Sequence, residues 1–101
     1  MRLTDQQIET IRATVTEVFG ADAEVWLFGS RVDDQQRGGD IDLLIKTNYV
    51  DVMKIARAEI SLLSCLQAKL GEQKIDVLLE YPSRETYPPI FRVAKQTGIM
   101  L

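Results

Sequence analysis

The chain has 101 residues, enough to bury one core and too few for two. With 46% hydrophobic and 27% charged residues it has the balance of a soluble globular domain, and no apolar run nears the roughly 20 residues that span a bilayer. A net charge of −3 and a pI near 4.9 disfavour direct nucleic-acid binding, which needs a basic face, and the lack of histidine removes Ser-His-Asp triads and His-ligated zinc.

The N-terminal MRLTDQQIET is polar and reads as the start of a helix, not as a signal peptide. Thr4 and Gln7 have the spacing of a capping box. Ile8, Ile11, Val15, Val18 and Phe19 then fall within about a 100° arc, so residues 4–19 form an amphipathic helix that stops at Gly20. Glu24 to Phe28 is a short strand, with Trp26 expected to pack in the core rather than to stack on a base. A Gly29-Ser30 turn follows, then a polar loop closing on Gly38-Gly39. Asp40 to Lys46 is a second strand.

Asp51 is positioned to cap a long helix running to about Leu70, with Gly71 just beyond. Its apolar residues, from Val52 and Met53 to Leu66 and Leu70, cover about 180° of the helical wheel, where packing on a small sheet needs about 100°. Either the flanking helices use the surplus, or it is a contact surface for another chain. The single cysteine, Cys65, excludes an intrachain disulfide and fits a reducing compartment. Gln73 to Glu80 is a third strand. Thr86 and Pro88 open a short last helix anchored by Tyr81 and Tyr87, Gly98 ends it, and the Ile99-Met100-Leu101 tail packs back. The expected fold is a single α/β (α+β) domain over residues 1–101, with one small mixed sheet of about three strands packed with helices.

The chemistry concentrates in WLFGSRVDDQQRGGDIDLLIK. On a strand, Asp40 and Asp42 project from one face, roughly 6.6 Å apart at about 3.3 Å per residue, while Ile41, Leu43 and Ile45 face the core. Two fixed carboxylates repel each other, and a divalent cation with a preference for hard oxygen ligands relieves the repulsion. Asp76 interrupts the otherwise apolar third strand, where a half-buried carboxylate requires a partner or a cation. If that strand lies beside the second, three carboxylates form one cluster suited to two-metal phosphoryl or nucleotidyl transfer. Asp76 is also placed to orient or deprotonate an acceptor hydroxyl. Gly29 and Ser30 offer backbone amides and a hydroxyl to a phosphate, and Arg31 a charge-assisted contact. Lys46, Lys74 and Glu72 read as ordinary solvated charges.

The Gly-Ser turn, spacer, Asp-x-Asp pair and later strand Asp resemble the nucleotidyltransferase superfamily related to DNA polymerase β, and the length resembles its minimal nucleotidyltransferases. The likeness extends over the leading helix, FGSR, GDIDLLI and the terminal KQTGI. It implies a palm-like fold and a phosphate-binding turn at Gly29 and Ser30. It further implies a metal-binding pair at Asp40 and Asp42 with a third catalytic carboxylate at Asp76, and the use of Mg²⁺ and ATP. Relatives often carry small or basic residues after Gly-Ser-Arg, whereas this chain has Val32-Asp33-Asp34, which repels a triphosphate unless turned to solvent; Arg37 is the candidate to compensate. Such short transferases are often paired with a helical HEPN-type protein, in cytoplasmic toxin–antitoxin systems where AMP passes to a tyrosine of a ribonuclease toxin. A homodimer is compatible with the same features. Two alternatives accompany this expectation: an antitoxin that acts by occlusion without turnover, and transfer to a small molecule such as an aminoglycoside.

Overall fold

The computed structural model describes residues 3–32, 40–71 and 73–101. Helix α1 (Asp5–Phe19) opens with the expected capping box: the Thr4 side chain accepts from the Gln7 backbone N–H at 3.0 Å, and Gln7 Oε1 accepts from the Thr4 N–H at 2.9 Å. Strand β1 (Glu24–Phe28) runs into a single 3-10 turn, Gly29–Val32. Strand β2 (Ile41–Lys46) is followed by helix α2 (Val52–Leu70), whose N-terminus is capped by the Asp51 carboxylate accepting from the Met53 N–H. Strand β3 (Ile75–Glu80), helix α3 (Ile90–Thr97) and strand β4 (Ile99–Met100) complete the order.

The sheet is four-stranded, in the order β3-β2-β1-β4. β1 is antiparallel to β2 and to β4, while β2 and β3 are parallel, joined by a crossover through α2. Strand alternation sends Val25, Leu27, Ile41, Leu43, Ile45, Ile75 and Leu79 into a core under α1 and α2, with Ile11, Val15, Phe19, Ile55, Leu62 and Leu66. The opposite face carries a smaller core, Phe28 and Leu44 under Phe91 and Ala94 of α3, with Trp26 and Leu78 packed against it. The sheet is therefore covered on both faces, and Trp26 is half-buried packing, as expected.

Three expectations change. The C-terminal tail does more than pack back: Ile99 and Met100 pair with Leu27 and Trp26 as a fourth strand, one more than the three anticipated. Gly98 makes this possible, because a side chain there would run into the Ala94 carbonyl and crowd the Leu27 carbonyl and Trp26 Cβ at 3.4 Å. Helix α3 starts at Ile90 rather than near Thr86, with Pro89 at its cap. The helical region is disfavoured for a residue that precedes proline, so Pro88, which stands before Pro89, is a poor place to begin the helix. Tyr87 does anchor this segment: its ring meets Phe91 edge-on at 4.9 Å and its hydroxyl donates to the Tyr81 carbonyl at 3.1 Å.

The third change concerns the wide apolar stripe of α2. Ile55, Ala58, Leu62 and Leu66 are buried, but α3 lies across the sheet and cannot flank α2. Among the described helices α1 is the one that packs closely beside it, and Val52, Met53 and Ile60 stay at 57%, 63% and 67% exposure. No helix among the described residues is long and apolar enough to cross a membrane.

Candidate functional site

The sheet register builds the site. Asp42 is the partner of Phe28 on β1 and of Asp76 on β3, so one row across the sheet reads Phe28, Asp42, Asp76. All three lie at the end of the sheet where β1 finishes and the parallel strands β2 and β3 begin. The neighbouring Ile41, Leu43 and Ile45 are buried on the α1/α2 face, which puts Asp42 on the α3 face, as the alternation requires.

Asp42 is half-buried, whereas Asp76, expected to be at least half-buried, is exposed. The reason lies in the strand order: β3 is the outer strand and β2 an inner one, so the row grows wetter toward Asp76. Burial raises the Asp42 carboxyl above the ordinary carboxylate range, and the negative charges of Asp76 and Asp40 and a hydrogen bond with Asp76 push the same way. Lys74 pulls against them. That lysine, expected to be an ordinary strand-end charge, stands 3.5 Å from Asp40 Oδ2.

Gly29 stands hard against Asp42. Its φ is +78°, in the region that side chains avoid, and a Cβ there would collide with Asp42 Oδ2 and lie 3.1 Å from its Cγ. The turn backbone and the inner carboxylate thus approach each other as only glycine allows. Ser30 follows Gly29 in the same 3-10 turn. Arg31, expected to face a phosphate, donates from Nη2 to Gln73 Oε1 at 3.2 Å, tying the turn to the start of β3, and this is not its sole interaction.

Of the residues singled out from the sequence, Gly29, Asp42 and Asp76 come together closely. Asp40 lies near enough to act on Asp42 but is ion-paired with Lys74. Among the described residues no three His, Cys, Asp or Glu side chains are grouped to hold a metal ion, so the anticipated three-carboxylate cluster takes the form of a bonded pair with Asp40 beside it. Asp33, Asp34, Arg37, the Gly38-Gly39 end of the loop and Glu72 lie outside the described residues.

The structure adds a feature that the sequence reading missed. A cleft of about 600 Å³ has Asp42, Asp76 and Gly29 at its acidic end and Phe28, Leu78, Ile90 and Val93 along its walls. The signal was present in α3: Ile90, Val93 and Thr97, at i, i+3 and i+7, form a second stripe beside the buried Phe91 and Ala94. No protein-family model matches this chain, and no curated protein matches it significantly.

Proposed function

We propose that the protein is a magnesium-dependent nucleotidyltransferase that moves AMP from ATP to a hydroxyl group. We infer that the acceptor is a tyrosine of a helical HEPN-type partner, in a cytoplasmic toxin–antitoxin pair in which this chain is the antitoxin. The observation that carries the reading is the facing of Asp42 and Asp76 across parallel strands, with Gly29 pressed against Asp42.

The donor chemistry fits a hard divalent cation: Asp42 and Asp76 meet at one sheet end with Asp40 beside them, and Asp42 is raised by burial and then by the negative charges of Asp76 and Asp40, which a cation would offset. Asp40, Asp42 and Asp76 are the residues to hold it, with Asp40 giving up Lys74. Magnesium bound there would neutralise phosphate charge and polarise the phosphoryl group under attack. Gly29 and Ser30 present the turn backbone to the triphosphate, and Arg31 lies in the same turn. Asp76, exposed on the outer strand, receives the acceptor and takes its hydroxyl proton. The acceptor oxygen bonds to the α-phosphorus as the bond to the bridging oxygen breaks, and pyrophosphate leaves with the electron pair.

The exposed Val52, Met53 and Ile60 of α2 favour a protein partner over a small acceptor, and they equally suit an antitoxin that acts by occlusion alone. Incubation with labelled ATP, Mg²⁺ and the product of the adjoining gene separates the two. Label on the partner, lost in Asp42→Ala and Asp76→Ala, supports transfer. Full neutralisation by those variants with no label moved would sink it and leave occlusion.

A further inference from the structure

Helix α3 bears more apolar surface than its packing consumes. Phe91 and Ala94 are buried on the sheet, yet Ile90 and Val93 stand 43% and 50% exposed on an adjacent stripe that faces the acidic cleft. Phe28, Val32 and Leu78 complete the apolar lining. Leu78 is two residues along β3 from Asp76, on the same face and roughly 6.6 Å away along the strand. The cleft therefore changes from charged to apolar within about the width of a sugar.

We propose that this apolar wall receives the base of the nucleotide, and that it favours a purine over a pyrimidine. The inference rests on the nucleotidyl-transfer reading and deepens it. Position decides between the base and the acceptor as occupant. α3 packs chiefly over β1 and the 3-10 turn, on the Gly29 side of Asp42, whereas Asp76 stands on the outer strand at the other side. A nucleotide with its phosphates at Gly29 lays its ring under α3, and the acceptor enters over the β3 edge. The volume suits one small ligand. Ile90, Val93, Phe28 and Leu78 carry no charge and no side-chain hydrogen-bonding group, so ring area is what they select, and the larger purine covers more of them.

The test compares ATP, CTP and inorganic tripolyphosphate, each with Mg²⁺, by titration calorimetry against the wild-type chain, Ile90→Ser/Val93→Ser and Val93→Leu. ATP should bind tighter than CTP, and the double serine variant should lose roughly tenfold in ATP affinity with tripolyphosphate unaffected. Val93→Leu should keep ATP affinity, and both substituted positions are exposed, so the melting temperature should barely move. Equal loss for ATP and tripolyphosphate, or no loss for either, overturns the base wall. Reduced transfer to an acceptor at unchanged ATP affinity also overturns it, giving the wall to the acceptor. Failure of tripolyphosphate to bind while ATP still depends on Ile90 and Val93 would instead remove the phosphate turn and keep the wall.

Discussion

Replacing Gly29 by alanine tests the closest approach in the site. The backbone there has φ +78°, and holding an L-residue in the left-handed region costs about 1–2 kcal/mol. The new Cβ would also meet the Asp42 carboxylate, with Cγ at 3.1 Å, so Asp42 must turn away from Asp76. Displacing a side chain from its preferred rotamer adds about 0.5–1.5 kcal/mol. Together these predict a loss of about 1.5–3.5 kcal/mol, and each kcal/mol lowers the melting temperature of a domain this size by about 4–8 °C. The assay is urea and thermal unfolding in the presence of a chelator, repeated in an Asp42→Ala background. There the colliding carboxylate is gone while Asp42 Cβ, at 3.4 Å, still leaves room. Gly29→Ala should then cost only the backbone part, giving a coupling of about 1 kcal/mol, the size of the lost rotamer strain. Additivity within about 0.3–0.5 kcal/mol would show that Gly29 and Asp42 do not contend for the same space and would refute the reasoning.

Three further outcomes follow from the same geometry. Because the Asp42 carboxyl is raised in the folded state, the native chain binds more protons than the unfolded one between the ordinary carboxylate pKa and the raised value. Its stability in chelator should therefore fall as pH rises through that window, and subtracting the pH profile of Asp42→Asn from that of the wild type should isolate this slope. Mg²⁺ should raise the melting temperature of the wild type, approaching about 2.7 kcal/mol of stabilisation at a hundredfold excess over its Kd, with most of the shift absent in Asp42→Ala/Asp76→Ala. On α2, Leu62→Ala should lose about 2–5 kcal/mol in urea unfolding, since that side chain is fully buried, whereas Ile60→Lys should stay within about 0.5 kcal/mol yet abolish co-purification with the partner.

Much of this fold is written in short-range chemistry. The capping box at Thr4, the Asp51 cap and the alternation of Ile41, Leu43 and Ile45 are local rules that hold wherever the chain goes, and the structure keeps them. What escaped sequence reading depends on partners remote in the chain. A two-residue strand such as Ile99–Met100 has no periodicity of its own and exists because β1 offers an edge. Which of Asp42 and Asp76 is desolvated follows from strand order, which no single strand encodes. The position of α3 across the sheet from α2 likewise decided that part of the α2 stripe stays uncovered. The Asp-x-Asp spacing is a local pattern, whereas the pairing of Asp42 with Asp76 and of Lys74 with Asp40 depends on the parallel register with β3.

That parallel register has a kinetic meaning. Strands β2 and β3 cannot meet through a tight turn; their pairing, which brings Asp76 beside Asp42, spans the whole α2 crossover. Such non-local pairing belongs to the slow, late part of folding. A nascent or partly folded chain, even one with the β1–β2 hairpin in place, therefore holds only half of the acidic pair. The acidic pair comes into being only with the β2–β3 pairing, and not with the β1–β2 pairing alone.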